Sequence, residues 1–152
     1  MSFDANGILN QLISVAQASG LFDQVNGHEP ASIPASGVTA GVWLQSIGPS
    51  KKVSGLASTA ARVEYLMRLY TPGITGNLDW IEPNMTNAAA VMIGALSAEF
   101  TLGGEVFATD LLGAWGNPLA GKAGWVDQAG QKMRIIDITV PFLVDNVWEQ
   151  VA

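Results

Sequence analysis

Residues 54–71 read SGLASTAARVEYLMRLYT, and from Ala61 onward the run alternates. Ala61, Val63, Tyr65, Met67 and Leu69 fall on one side; Arg62, Glu64 and Arg68 fall on the other, with Leu66 as the exception. A period of two marks a strand with one buried and one polar face. The alternating part has no internal Gly or Pro and exceeds the usual strand of about 5–6 residues. A strand this long is expected to run past the body of a small domain. A second strand-like run, 38–47, precedes it: Val38, Ala40, Val42 and Leu44 share one face, and Thr39, Gly41, Trp43 and Gln45 the other. The connection at 48–55, GPSKKVSG, is too long for a two-residue turn. The two runs predict a long β-hairpin arm with Lys51 and Lys52 at its tip.

Composition limits what such an arm serves. The chain has 152 residues, enough for one domain with a core. Hydrophobic residues make up 49% and mean hydropathy is +0.28. Charged residues are 13%, against about 25% in ordinary domains. A membrane does not account for this deficit. The most apolar stretch, 88–96, is closed in by Thr86, Asn87, Ser97 and Glu99, and a span needs about 20 apolar residues. The start, MSFDANGILNQL, lacks a basic region and carries Asp4, so it does not read as a signal peptide. The favoured explanation is a surface that lies against other subunits, since obligate interfaces are apolar and poor in charge; the alternative is a monomer surface unusually rich in polar, uncharged groups. Net charge is −6 and no basic run is longer than Lys51–Lys52, which argues against sequence-specific DNA readout. An acidic wall past which DNA slides without sticking remains compatible. Without cysteine there is no disulfide frame and no thiolate metal site.

Outside the hairpin, helix and strand patterns alternate. Residues 4–19 predict a helix with Asp4 as N-cap, a stripe of Ile8, Leu9, Leu12 and Ala16, and Gly20 as a left-handed stop. A short strand is expected at 21–25, then a turn at 26–30. Residues 79–99 predict a second helix with a wide apolar face of Met85, Ala88, Ala89, Met92, Ile93, Leu96 and Phe100, and Pro83 tolerable only in its first turn. Residues 105–112 predict a strand and 113–124 a Gly/Pro-rich loop. Residues 125–127 and 132–144 predict a second hairpin about Gly130, with Pro141 placing the last strand at an edge or ending its pairing early. The order α-β-β-β-α-β-β-β predicts an α+β fold: a single mixed or antiparallel sheet, the long hairpin arm, and two helices packed on one face. No linker or repeat divides residues 1–152, so one domain is expected.

No motif for chemistry survives comparison with its ordinary reading. Gly116, Gly121 and Lys122 match the spacing of a phosphate-binding loop, but Ala123 stands where a hydroxyl would ligate magnesium, and the segment reads as strand. His28 is the single histidine, beside Glu29 in a turn, with no partner for a metal site or triad. The carboxylates are scattered. No catalytic, cofactor or metal residue is assigned, and no enzyme activity is expected. Trp43, Trp115 and Trp148 are instead candidates for subunit contacts, where Trp is enriched.

Five runs carry a resemblance: 19–30 (SGLFDQVNGHEP), 42–50 (VWLQSIGPS), 54–71, 100–113 (FTLGGEVFATDLLG) and 126–148. In chain order they resemble tail terminator proteins of long-tailed bacteriophages. The resemblance implies a small α+β domain of the order read above. It also implies a structural role: a homo-hexameric ring that caps the tail tube, ends its polymerisation and meets a head-side connector protein. The implied partners are further copies of the chain, the tail tube protein and the connector, with DNA passing through the lumen unbound and no membrane. The implied place is the head-proximal end of the virion tail, after assembly in the host cytoplasm. Within such a ring, Arg62, Glu64 and Arg68 become candidates for pairing across a subunit boundary, Leu66 for a buried contact, and Lys51 and Lys52 for salt bridges to an acidic neighbour. The alternatives are another head–tail joining protein, a connector or head-closure adaptor, and, more remotely, a small nucleotide-binding enzyme using residues 116–122.

Overall fold

The computed structural model describes residues 3–32, 34, 37–50, 58–73, 78–128 and 130–149. Helix α1 spans Ala5–Ala18. The Asp4 carboxylate accepts the N–H of Gly7 at 3.0 Å, and Gly20 follows with φ +71. Ile8, Leu12 and Ala16, one helical face, are fully buried. Strand β1, Gln24–Asn26, runs parallel to the start of β2, Thr39–Ser50. Strand β3, Ser58–Pro72, returns antiparallel to β2 from Ser50↔Ala60 to Thr39↔Tyr70. The arm tip at 51–57, with Lys51 and Lys52, lies outside the described residues.

Helix α2, Leu78–Ala98, buries Ile81, Met85, Ala88, Ala89, Met92 and Leu96. Pro83 stands in its second turn, and Phe100, expected on the buried face, lies beyond the helix end and is exposed. A short 3-10 turn, Leu102–Gly104, leads to β4, Ala108–Thr109; β5, Ala120–Gln128, and β6, Gln131–Glu149, complete the sheet. The strand order is β1-β2-β3-β6-β4, with β5 also on β6. Only the β1–β2 pair is parallel, so the sheet is mixed and the fold α+β.

Both helices cover one sheet face. Ala61, Val63, Tyr65, Met67 and Leu69 of β3 point into that core with Ile136, Ile138, Val140, Phe142 and Val144 of β6. The alternation read in the sequence thus sorts the buried face of β3 residue by residue. A smaller cluster of Tyr70, Met133 and Ile135 sits on the opposite face.

The structure corrects several expectations. The expected strand at 105–112 shrinks to two residues. Positive φ at Leu102, Gly103 and Gly104 holds the chain in a turn before it meets β6, and the Asp110 side chain turns it away afterwards. The expected loop at 113–124 already contains the start of β5. The hairpin arm carries a third strand, because β6 accompanies β3 from Pro72↔Met133 to Ser58↔Glu149. Pro141 marks no edge: β6 is central, with β3 on one side and β5 then β4 on the other. The Pro141 carbonyl accepts the N–H of Asp110 at 3.0 Å. The N–H and C=O of a strand residue project to the same side. The missing N–H therefore falls where β6 changes partner between Ala120↔Thr139 and Thr109↔Phe142, and the ladder to β3 loses nothing.

Candidate subunit-contact surface

The face of β3 that carries Arg62, Glu64, Leu66 and Arg68 is the one away from the helices. Opposed residues on paired strands share a face, so Arg68 lies in one row with Asp137, and Leu66 in one row with Trp43 and Thr139. The Arg68 guanidinium makes a bidentate pair with Asp137, with Nε and Nη2 donating to the two carboxylate oxygens at 2.7 and 3.0 Å. It also lies 5.5 Å from the centroid of the half-buried Trp43 ring. The Asp137 hydrogen bond, against the opposing effect of burial, raises the Arg68 pKa, helped by the charges of Asp137 and Glu29. Leu66 is buried.

Arg62 and Glu64 are enclosed as well. The loop after β4 folds over them and supplies partners some 50 residues away in sequence. Nε and Nη2 of Arg62 donate to Asp110 at 3.2 and 3.0 Å, Nη2 also to the carbonyl of Asn117 at 2.7 Å, and Nη1 pairs with the Glu64 carboxylate. Asn117 Nδ2 donates to Glu64 at 3.1 Å. The other bonds of Asp110 come from the backbone N–H groups of Ala114 and Trp115, at 2.9 and 3.0 Å. One carboxylate therefore fixes the loop to itself and to β3. Gly116 lies so close to the guanidinium that a Cβ there would stand 2.5 Å from Arg62 Cζ. All three sequence-chosen charges on this face are satisfied inside their own chain.

The tryptophans behave differently. Trp80, Trp115, Trp125 and Trp148 are each more than 40% exposed, and Trp43 is half-buried, so none of the five is a core residue. Trp125 stacks on Arg134, which pairs with Glu82. Near Trp115 the locked loop presents Leu112, which is 92% exposed. On β2, a register shift between Leu44 and Ser46 inserts Gln45 as an extra residue. It turns Ile47, opposite Val63, to the core-facing side, yet Leu44 and Ile47 are both exposed. Sequence reasoning missed Leu44, Ile47 and Leu112 as surface residues. Leu44 continues a buried alternation, and no periodicity places Leu112.

Lys122 lies in β5, so no helix N-terminus follows it to face a phosphate. His28 Nδ1 lies 2.9 Å from the Glu29 carbonyl oxygen in the turn after β1. Among the described residues no three His, Cys, Asp or Glu side chains group to hold a metal ion, and no helix is long and apolar enough to cross a membrane.

Comparison with protein-family models finds no match, and comparison with curated proteins finds none either. Among solved structures, the chain is similar to a chain in the virion of a native gene transfer agent particle. The two are 18% identical over 90% of this chain and 91% of that one, with a TM-score of 0.47. It is also similar to a chain of the sheath/tube terminator, in its extended state, of the extracellular contractile injection system PVC. There the identity is 10% over all of this chain and 60% of that one, with a TM-score of 0.40.

Proposed function

We propose that this chain is a tail terminator: a non-enzymatic virion protein that assembles as a hexameric ring on the tail tube. The ring ends the growth of the tube and offers its other side to a head-side connector. The observation that carries this reading is that the α-β-β-β-α-β-β-β order with helices on one sheet face, implied by the sequence resemblance, is the fold of the chain. The five runs of that resemblance fall in chain order on β1, on β2, on β3, on the 3-10 turn with β4, and on the end of β5 with β6. The surface suits assembly. Charge is scarce, and four tryptophans with Leu112, Leu44 and Ile47 stand exposed. Tryptophan is enriched at the anchoring positions of protein contacts. Trp115 and Trp148 remain in the proposed interface, and Trp43 supports it from behind. Lys51 and Lys52 keep their proposed place at the neighbour's surface. Arg62, Glu64, Arg68 and Leu66 act there indirectly, by holding the face and loop in shape. DNA passes through the lumen without specific binding, as the acidic balance favours.

The deciding experiment is an image of tail tubes incubated with the purified chain, and of assembled particles. A ring of copies at one tube end, with tubes of limited length, is the expected result. A chain that stays monomeric on tubes and in particles overturns the reading. Contact with portal-side subunits instead of tube subunits assigns it to the head-closure adaptors.

A further inference from the structure

We propose that, in the ring, the outer edge of β2 in one copy pairs with the outer edge of β5 in the next, so that the sheets join head to tail. The proposal rests on the ring reading above. Two long strand edges are open among the described residues. β1 covers only Thr39–Gly41 of β2, which leaves its outer side without a partner strand from Val42 to Pro49 among the described residues. β5, nine residues long, pairs only with β6. The two edges end the strand order on its two sides, and the sheet curls so that Gln45 of β2 and Lys122 of β5 stand on the two rims of one groove; a head-to-tail contact uses two such unlike edges.

Both strands are exposed beyond their edges. Leu44, Gln45, Ser46, Ile47 and Pro49 of β2 are exposed irrespective of the face they occupy, as are Ala120, Gly121, Lys122, Ala123 and Trp125 of β5. Natural edge strands are commonly guarded by charge, above all lysine. Residues 38–50 carry no charge at all. Strand β5 carries one of each sign, Lys122 and Asp127, so a neutral edge meets a balanced one and like charges do not oppose. Leu44, Ile47 and Trp125, each about half exposed, supply apolar area beside the backbone hydrogen bonds.

Strand direction fits as well. β2, β3, β6 and β5 are successively antiparallel, so β5 runs opposite to β2. Rotation about an axis along the strands preserves direction. Each new junction is then antiparallel, like the β2–β3, β3–β6 and β5–β6 pairs inside the chain.

Because the chain contains no cysteine, single introduced thiols report this contact directly. One set of full-length chains carries Ser46→Cys or Ile47→Cys, and a second set carries Lys122→Cys or Ala123→Cys. Each variant is first checked for the parent circular dichroism and melting temperature. The sets are then mixed on tail tubes and oxidised. The expected result is a cross-link only between a β2 variant and a β5 variant. A variant that cross-links to itself indicates a two-fold contact and overturns the proposal. Rings that form normally with no cross-link from any pair overturn the edge pairing and leave the ring reading standing. If the parent chain forms no ring on tubes, the ring reading falls and the pairing with it. As a second measure, Ser46→Lys should raise the concentration needed for ring formation about tenfold or more while the monomer folds normally. Unchanged assembly by Ser46→Lys overturns the pairing.

Discussion

Arg62 is the residue whose surroundings most change its meaning. Its guanidinium is surrounded by Asp110, Glu64 and the Asn117 carbonyl, with only 11% of the side chain exposed. Removing one partner of an enclosed pair leaves the other charge without compensation. Asp110→Ala should therefore lower unfolding free energy by about 3 kcal/mol, read from urea denaturation. The Arg68–Asp137 pair is more open on its acid side, so Asp137→Ala should cost less, about 1 kcal/mol. A second residue-scale test concerns Tyr65, which is buried in the core and whose phenol pKa burial raises. As pH climbs through about 10, the unfolded chain loses this proton while the folded chain keeps it, so stability falls with rising pH. Tyr65→Phe removes that contribution. Its melting temperature should decline less than the parent's between about pH 9 and about pH 11.

At the scale of elements, the sequence was most legible where one face is buried and the other polar. β3 shows this, as do α1 and most of the apolar stripe of α2. It was least legible where an element is open on both faces, as in β5, whose Gly and Ala residues leave no period to read. The partners of the polar β3 face were also hidden, because Asp110 and Asn117 reach it from a loop with no pattern of its own. Charges that looked available for a neighbouring subunit are therefore used at home, and the exposed contact candidates are aromatic and aliphatic. Pro141 taught a related lesson: a proline is harmless inside a sheet where its absent N–H meets a change of partner. Pro141→Ala should shift stability by less than about 1 kcal/mol. Leu12→Ala, in the fully buried stripe of α1, should cost about 3 kcal/mol in the same denaturation measurement.

For the molecule as a whole, the surface sets how assembly should respond to its conditions. Few charges are present, and several are paired within the chain. With the Lys51–Lys52 tip as its main proposed ionic contact, the proposed ring should weaken only modestly between about 0.05 and about 0.5 M salt, measured by sedimentation with tubes, whereas an interface built mainly on ion pairs would weaken far more. Intrinsic fluorescence offers a second check. With no tryptophan fully buried in the free chain, unfolding should move the emission maximum only slightly. Assembly on tubes should shift it to shorter wavelength, and Trp115→Ala should reduce that shift.

The central position of β6 has one further consequence. The strand described last in the chain binds β3 along its length and holds both β4 and β5, so every other part of the sheet beyond β1, β2 and β3 waits for it. During synthesis the nascent polypeptide cannot complete its core until residues near 149 have left the ribosome. Chains cut short before β6 lack the spine against which the rest is laid down, and proteases remove such unfolded products. Only copies translated through that strand complete the fold.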